Sequence, residues 1–266
     1  SMPKVILEVV TVTSKNSATM LPMRENKEKH NLVQMHNIQQ KVFTRWCNWY
    51  LAEQRLEIKD LFLDLQSGVL LCHLLEELGQ ASISDTLNGK TMNARPTKKT
   101  EYLENANRIF EYCERKGVKI SNVQPHDVAD GKKPVMLSLI WQLVLGFPRI
   151  PLTVRQRGGE RGSLVKGSTR NELLKWCREV TLKAKGLKKR IGNFKASWAD
   201  GLALVAILHC MFREENWINS PEDYTTLDSA HALNDAFECA NTKLGVPRLL
   251  DVEDMSAPDE KSIVTY

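Results

Sequence analysis

The sequence predicts an all-α protein built by duplication, two helical units in tandem joined by a linker. Two observations carry this. First, blocks recur in the same order in the two halves of the 266 residues. Trp46-Cys47 matches Trp176-Cys177, and Gln66-Ser-Gly68-Val-Leu-Leu matches Ala199-Asp-Gly201-Leu-Ala-Leu. Phe110 ahead of Gly117-Val118 matches Phe237 ahead of Gly245-Val246, and His126-Asp127-Val128 matches Glu253-Asp254-Met255. The separation is nearly constant from block to block and drifts only as small loop insertions would make it drift. Second, from Pro148 to Ser168 the chain turns rich in Gly and Arg and loses apolar periodicity, which marks a linker. The expected boundaries are a flexible N-terminal extension over 1–35, a first unit over 36–149, a linker over 150–167 and a second unit over 168–266.

Within the first unit, helices are predicted near 37–54, 67–79, 98–117 and 132–147. In the first of them Ile38, Val42, Trp46 and Trp49 recur at i, i+4, i+8 and i+11, a core stripe. Gly68 and Gly201 stand at turns that let the following helix pack closely, and Gly117 and Gly245 stop the third helix of each unit. The second unit repeats the pattern near 169–185, 198–212, 226–244 and from 258 onward. Its last helix, Pro258 to Tyr266, is truncated after two turns, and Ser1-Met2 reads as a cloning remnant.

The run from Val135 to Phe147 is too apolar for a helix covered on one side only. At about 100° per residue, Met136, Ile140, Leu143 and Phe147 form one face, while Leu137, Trp141, Val144 and Leu145 form a second. Ser138 and Gln142 share the narrow strip between. Either the second face is hidden by a neighbouring domain or partner, or the helix is central to a larger core. The turn Asp127-Val-Ala-Asp-Gly131 and the cations Lys132 and Lys133 at the helix start favour the first.

No stretch approaches the ~20 apolar residues a membrane span requires, and the N-terminus lacks the basic-then-apolar order of a signal peptide. A soluble, intracellular protein is expected. The six cysteines sit singly in apolar helical patterns, without metal-ligand spacing, and read as buried thiols of a reducing compartment. The net charge of +5 is too small to imply nucleic acid. Its distribution says more: residues 168–266 hold 13 basic and 15 acidic groups, so the positive excess lies in the tail, the first unit and the linker.

Enzyme motifs are weak. Gly89-Lys90-Thr91 ends like a phosphate-binding loop, but Ser84 replaces the Gly which that pattern needs and no strand precedes it. Gly158-Gly-Glu-Arg-Gly162 is simple linker. His73, His126, His209 and His231 lack an orienting spacing to a nucleophile, and His73 and His209 are expected to be structural. No calcium-binding loop of the EF-hand type is present.

Gln39-Gln-Lys-Val-Phe43-Thr-Arg-Trp46-Cys-Asn48, Asp127-Val-Ala-Asp-Gly131 with Leu139-Ile-Trp141, Leu173-Leu-Lys-Trp176-Cys and Ser197-Trp-Ala-Asp-Gly201-Leu-Ala-Leu together carry a resemblance. Over about residues 36–266 the chain resembles the tandem calponin-homology domain that binds actin filaments in the α-actinin, spectrin and filamin family. There are three departures: Ser67 stands where an acidic residue usually precedes the Gly, the linker is unusually rich in Arg and Gly, and the loop from Ile83 to Lys99 is atypical.

The resemblance implies a cytoplasmic, cytoskeletal binding module with no catalysis and no cofactor. Its partner would be F-actin, engaged mainly by the first unit through Gln39 to Leu51 and Val118 to Phe147. Trp46 is expected in the core, leaving Gln39, Lys41, Phe43 and Arg45 as the contacts on the first helix. Around the last helix Lys116, Lys119, Lys132 and Lys133 would meet an acidic surface, with Leu137, Trp141 and Leu145 entering an apolar cleft. The resemblance also sets Lys261 opposite Trp141, where an ammonium over an indole would latch the two units closed. Any oligomerisation would come from regions outside this chain.

Lys183, Lys185, Lys188, Lys189 and Arg190 crowd the end of the second unit's first helix, beyond what a helix C-terminus asks for. An alternative function is therefore a membrane-surface adaptor that holds phosphoinositide on this cluster, set against the plainer reading of a solvated face.

Overall fold

The computed structural model describes residues 17–147, 169–187 and 190–266. The predicted linker, the Gly158 to Gly162 motif and Lys188 and Lys189 lie outside the described residues. Described residues up to Ile38, which form a unit of their own, are helical from Ser17, the start of α1 (Ser17–Leu51). Apolar periodicity placed this start near 37. Residues 23–37 lack Gly and Pro and are largely straight-chain helix formers, so propensity extends the helix without a core-facing stripe. Leu32 and Val33 are more than half exposed there.

Residues 39–266 form the second unit and contain both repeats. Along the end of α1, Val42, Phe43, Trp46, Cys47, Tyr50 and Leu51 are buried, a stripe at three- and four-residue spacing. Trp49 is 48% exposed, correcting its expected place in the core. It stops short of a full turn from Trp46 and points to the side of the stripe, which Tyr50, a turn on, continues.

The first repeat continues through α2 (Leu61–Gln66), α3 (Val69–Gly79), α4 (Ile83–Thr86), α5 (Lys99–Arg115), α6 (Pro125–Ala129) and α7 (Lys133–Gly146). The second comprises α8 (Thr169–Val180), α9 (Leu202–Met211), α10 (Ser229–Leu244), a 3-10 turn over Val252–Ser256 and α11 (Glu260–Thr265). No strand occurs among the described residues. The short helices α2, α4 and α6 carry too few turns for periodicity to reveal. Local capping makes them: the Asp60 carboxylate accepts from Phe62 N and Leu63 N, Ser82 Oγ accepts from Asp85 N, and Pro125 opens α6.

The repeat shows most clearly at the matched glycines. Gly68 has φ +80° and Gly201 φ +77°, each immediately ahead of α3 or α9. A Cβ at Gly68 would lie 2.8 Å from Asn105 Cβ on α5, and one at Gly201 would lie 2.8 Å from Leu233 N on α10. The departure at Ser67 changes little: its Oγ accepts from Val69 N at 3.3 Å, as Asp200 Oδ1 accepts from Leu202 N at 3.1 Å. The atypical loop is pinned by buried Asn105, whose Oδ1 accepts from Asn93 N and whose Nδ2 donates to Ser67 O and Asn93 O. In the second repeat Leu202, Val205, Ile218, Tyr224, Ala232 and Ala236 close the core between α9 and α10.

Five cysteines are buried and all six are unpaired, with the thiols of Cys72, Cys113 and Cys177 pushed up to about 12 by burial. Lys90 donates to Glu111, so the Gly89-Lys90 segment is a surface turn. His209 Nδ1 bonds Ile218 O at 3.1 Å, a structural tie. No helix among the described residues is long and apolar enough to cross a membrane.

Candidate functional site

Helix α7 is apolar around most of its circumference. Met136, Leu137, Leu139, Ile140 and Leu143 are buried, while Trp141, Val144 and Leu145 are half-buried. Helix α11 of the second repeat packs against it, so part of the α7 surface is covered by the neighbouring repeat. Leu137, expected to meet a partner, is 3% exposed and belongs to the buried arc beside Met136 and Ile140.

At the start of α7 the cations point outward. Lys132 is exposed and bonds Asp127 Oδ1 at 2.5 Å, an interaction that raises its own pKa and is the largest cause holding the Asp127 carboxyl low. Exposed Lys133 sits 5.2 Å from the Phe62 ring. Lys119 is exposed on the preceding loop. That loop is held by Gln142, whose Oε1 accepts from Ser121 N and whose Nε2 donates to Ser121 O. Lys116 turns inward, donating to Gly79 O at 3.1 Å and lying over the Tyr112 ring, so its expected surface role is corrected to a structural one.

The polar side of α1 faces the second repeat. Gln39 Nε2 donates to Asp259 Oδ1 at 3.0 Å, with both residues buried. Lys41 Nζ lies 2.8 Å from Asp251 and 2.5 Å from Asp254. Arg45 grips both oxygens of Asp251, at 3.0 and 3.1 Å, and also donates to Leu249 O. The Arg45 bonds, opposed by burial and reinforced by Lys41, bring the Asp251 carboxyl down to about 2. Burial disfavours the charge on Lys41, but its two aspartate partners outweigh that and raise its pKa.

Three expectations change here. Gln39, Lys41 and Arg45 are not free surface in this arrangement, and Phe43 is fully buried because it lies on the opposite side of α1 from Lys41, with Cys47 and Tyr50. The expected latch is corrected too. Among the described residues cations lie over the rings of Tyr112, Phe62 and Phe237, and Lys261 over Trp141 is not among these pairs. The seam is held by the polar contacts of α1 instead.

Sequence reasoning missed Asp251, Asp254 and Asp259. The usable signal was charge asymmetry: the run from Asp251 to Glu260 holds five carboxylates and no cation. Helix α8 ends at Val180, so Lys183, Lys185 and Arg190 lie beyond it, exposed to solvent.

The family model for the calponin homology (CH) domain matches residues 37–149 and again 167–266. A spectrin beta chain of Drosophila melanogaster is 33% identical over 232 residues, covering 86% of this chain and 9% of that protein. Alpha-actinin-like protein 1 of Schizosaccharomyces pombe is 34% identical over 242 residues, covering 88% and 35%. Human alpha-actinin-4 is 30% identical over 231 residues, covering 86% and 23%. The chain thus spans well under half the length of these relatives. Among solved structures, the actin-crosslinking core of S. pombe fimbrin superposes with a TM-score of 0.63 at 18% identity, covering 87% of this chain and 47% of that one, a likeness of fold. With the duplicated helical unit, the matched glycines and two family matches in tandem, the chain belongs to the calponin-homology family.

Proposed function

We propose that this tandem pair is a non-catalytic F-actin-binding module of a cytoskeletal cross-linking or anchoring protein in the cytoplasm, with the first repeat carrying the affinity. The observation that carries the reading is the exposed, cationic start of α7, with half-buried Trp141 and Leu145 further along the same helix, on a calponin-homology chain that shares the fold of the fimbrin actin-crosslinking core. A cationic rim around an apolar strip suits an acidic partner surface with an apolar cleft. Lys119, Lys132 and Lys133 would steer the encounter. Gln39, Lys41 and Arg45 could join the contact only after leaving the second repeat, so the arrangement described here exposes one of the two proposed contact regions and covers the other.

Cosedimentation of the intact chain with actin filaments at two salt concentrations tests this. Saturable binding that weakens at higher salt is expected. Absence of filament binding at low salt would overturn the reading.

A further inference from the structure

We propose that closure of the two repeats and ordering of α11 are one event, because the carboxylates that cap this end of the second repeat also hold α1 of the first. Asp259 divides its oxygens: Oδ2 accepts from Ser262 N and Ser262 Oγ at 3.0 and 2.9 Å, capping α11, while Oδ1 accepts from Gln39 Nε2. Asp254 is shared as well: Oδ2 accepts from Asp251 N at 2.8 Å to close the 3-10 turn, while Lys41 Nζ lies against both oxygens, 2.6 Å from Oδ1 and 2.5 Å from Oδ2. Asp251, whose amide that turn fixes, takes Arg45.

Helix α11 draws its support from both repeats. Its supports are the Asp259 cap, the Arg170 to Glu260 ion pair from α8, the burial of Ile263 and the packing on α7. Packing on α7 comes from the first repeat, as does the Gln39 bond that orients the cap. Separation of the repeats removes both and leaves α11 on its own repeat's contacts alone. If the proposed filament binding requires that separation, the bound form carries a loosened 252–266 segment. That consequence alone rests on the functional reading.

Hydrogen exchange read by mass spectrometry on the intact chain tests the coupling without filaments. Asp251→Asn with Asp254→Asn removes the charges that hold Lys41 and Arg45 but keeps a side-chain oxygen able to cap the turn. Gln39→Ala removes the bridge to Asp259 from the opposite side of the seam. Exchange over residues 252–266 is expected to quicken about fivefold in both variants, with α9 and α10 unchanged. Unchanged exchange over that segment overturns the coupling. Faster exchange spread equally over α9 and α10 also overturns it, since that is general destabilisation. Cosedimentation of the same variants is a separate readout, so a failure of filament binding leaves the exchange result standing.

Discussion

The corner before the last helix occurs twice in this chain, and the two copies solve the same electrostatic problem differently. In the first repeat Asp127 takes its cation from within, Lys132, at the start of the helix that follows. In the second repeat its counterpart in the duplicated pattern, Asp254, has no basic residue between Asp251 and Glu260 to draw on and takes Lys41 from the first repeat. An internal pair leaves the first corner a self-contained surface whose remaining cations, Lys119 and Lys133, face outward. The missing cation in the second corner makes it a contact for its neighbour. One cation present in the first corner and absent from the second separates a surface from a seam.

The comparison breaks most severely at the matched glycines. At positive φ in both turns, Gly201→Ala forces a Cβ to within 3.1 Å of three atoms, Leu233 N, Leu233 Cγ and Ala232 C, whereas Gly68→Ala meets one atom closer than 3.4 Å, Asn105 Cβ at 2.8 Å. Losses of about 3 and about 2 kcal/mol are expected in that order, read by urea denaturation. An equal or reversed ranking would show that the two turns are not supported as their contacts imply. Next in size is Lys132→Glu with Lys133→Glu, expected to weaken filament binding about tenfold with little change in thermal midpoint, since exposed charges orient association more than they hold the fold.

Neutralising the two corners should then separate them. Asp254→Asn is expected to open the repeats and tighten filament binding about threefold, while Asp127→Asn leaves the small-angle scattering profile unchanged. The pH dependence follows from Asp251. Its carboxyl is depressed from 3.8 to about 2 in the closed form, so its contribution is fully present above the ordinary value and is lost as pH falls through about 2. Scattering at pH 5 and pH 2.5 should show the closed arrangement weakening at the lower value. The smallest effect is expected for Lys261→Glu, no more than about twofold in filament affinity, because the seam does not rely on that ammonium over Trp141.

The sequence made the fold legible where a residue type has one physical use. Positive-φ glycines at Gly68, Gly117, Gly201 and Gly245 fixed the turns and stops, and the recurring blocks aligned the repeats. Helix propensity without an apolar stripe was harder to see, which is why α1 begins earlier than periodicity placed it. For the site, the outward cations of α7 could be read from their neighbours in sequence. Phe43 and Trp49 exchanged roles because a one-position shift on a helix turns a side chain by about 100°. Contacts of Gln39, Lys41 and Arg45 span more than 200 residues, beyond the reach of any local pattern, and only the opposite charges of the two halves foretold them.

In the proposed function the first repeat offers cations of α7 to a filament, while the second repeat draws on Lys41 and Arg45 of the first. Cosedimentation curves of the intact parent chain, Asp254→Asn and Lys132→Glu with Lys133→Glu, measured on one filament preparation, test it most directly. Opposite displacements are predicted, tighter for Asp254→Asn and weaker for the double lysine variant. Curves that coincide with the parent, or that shift in the same direction, would contradict it.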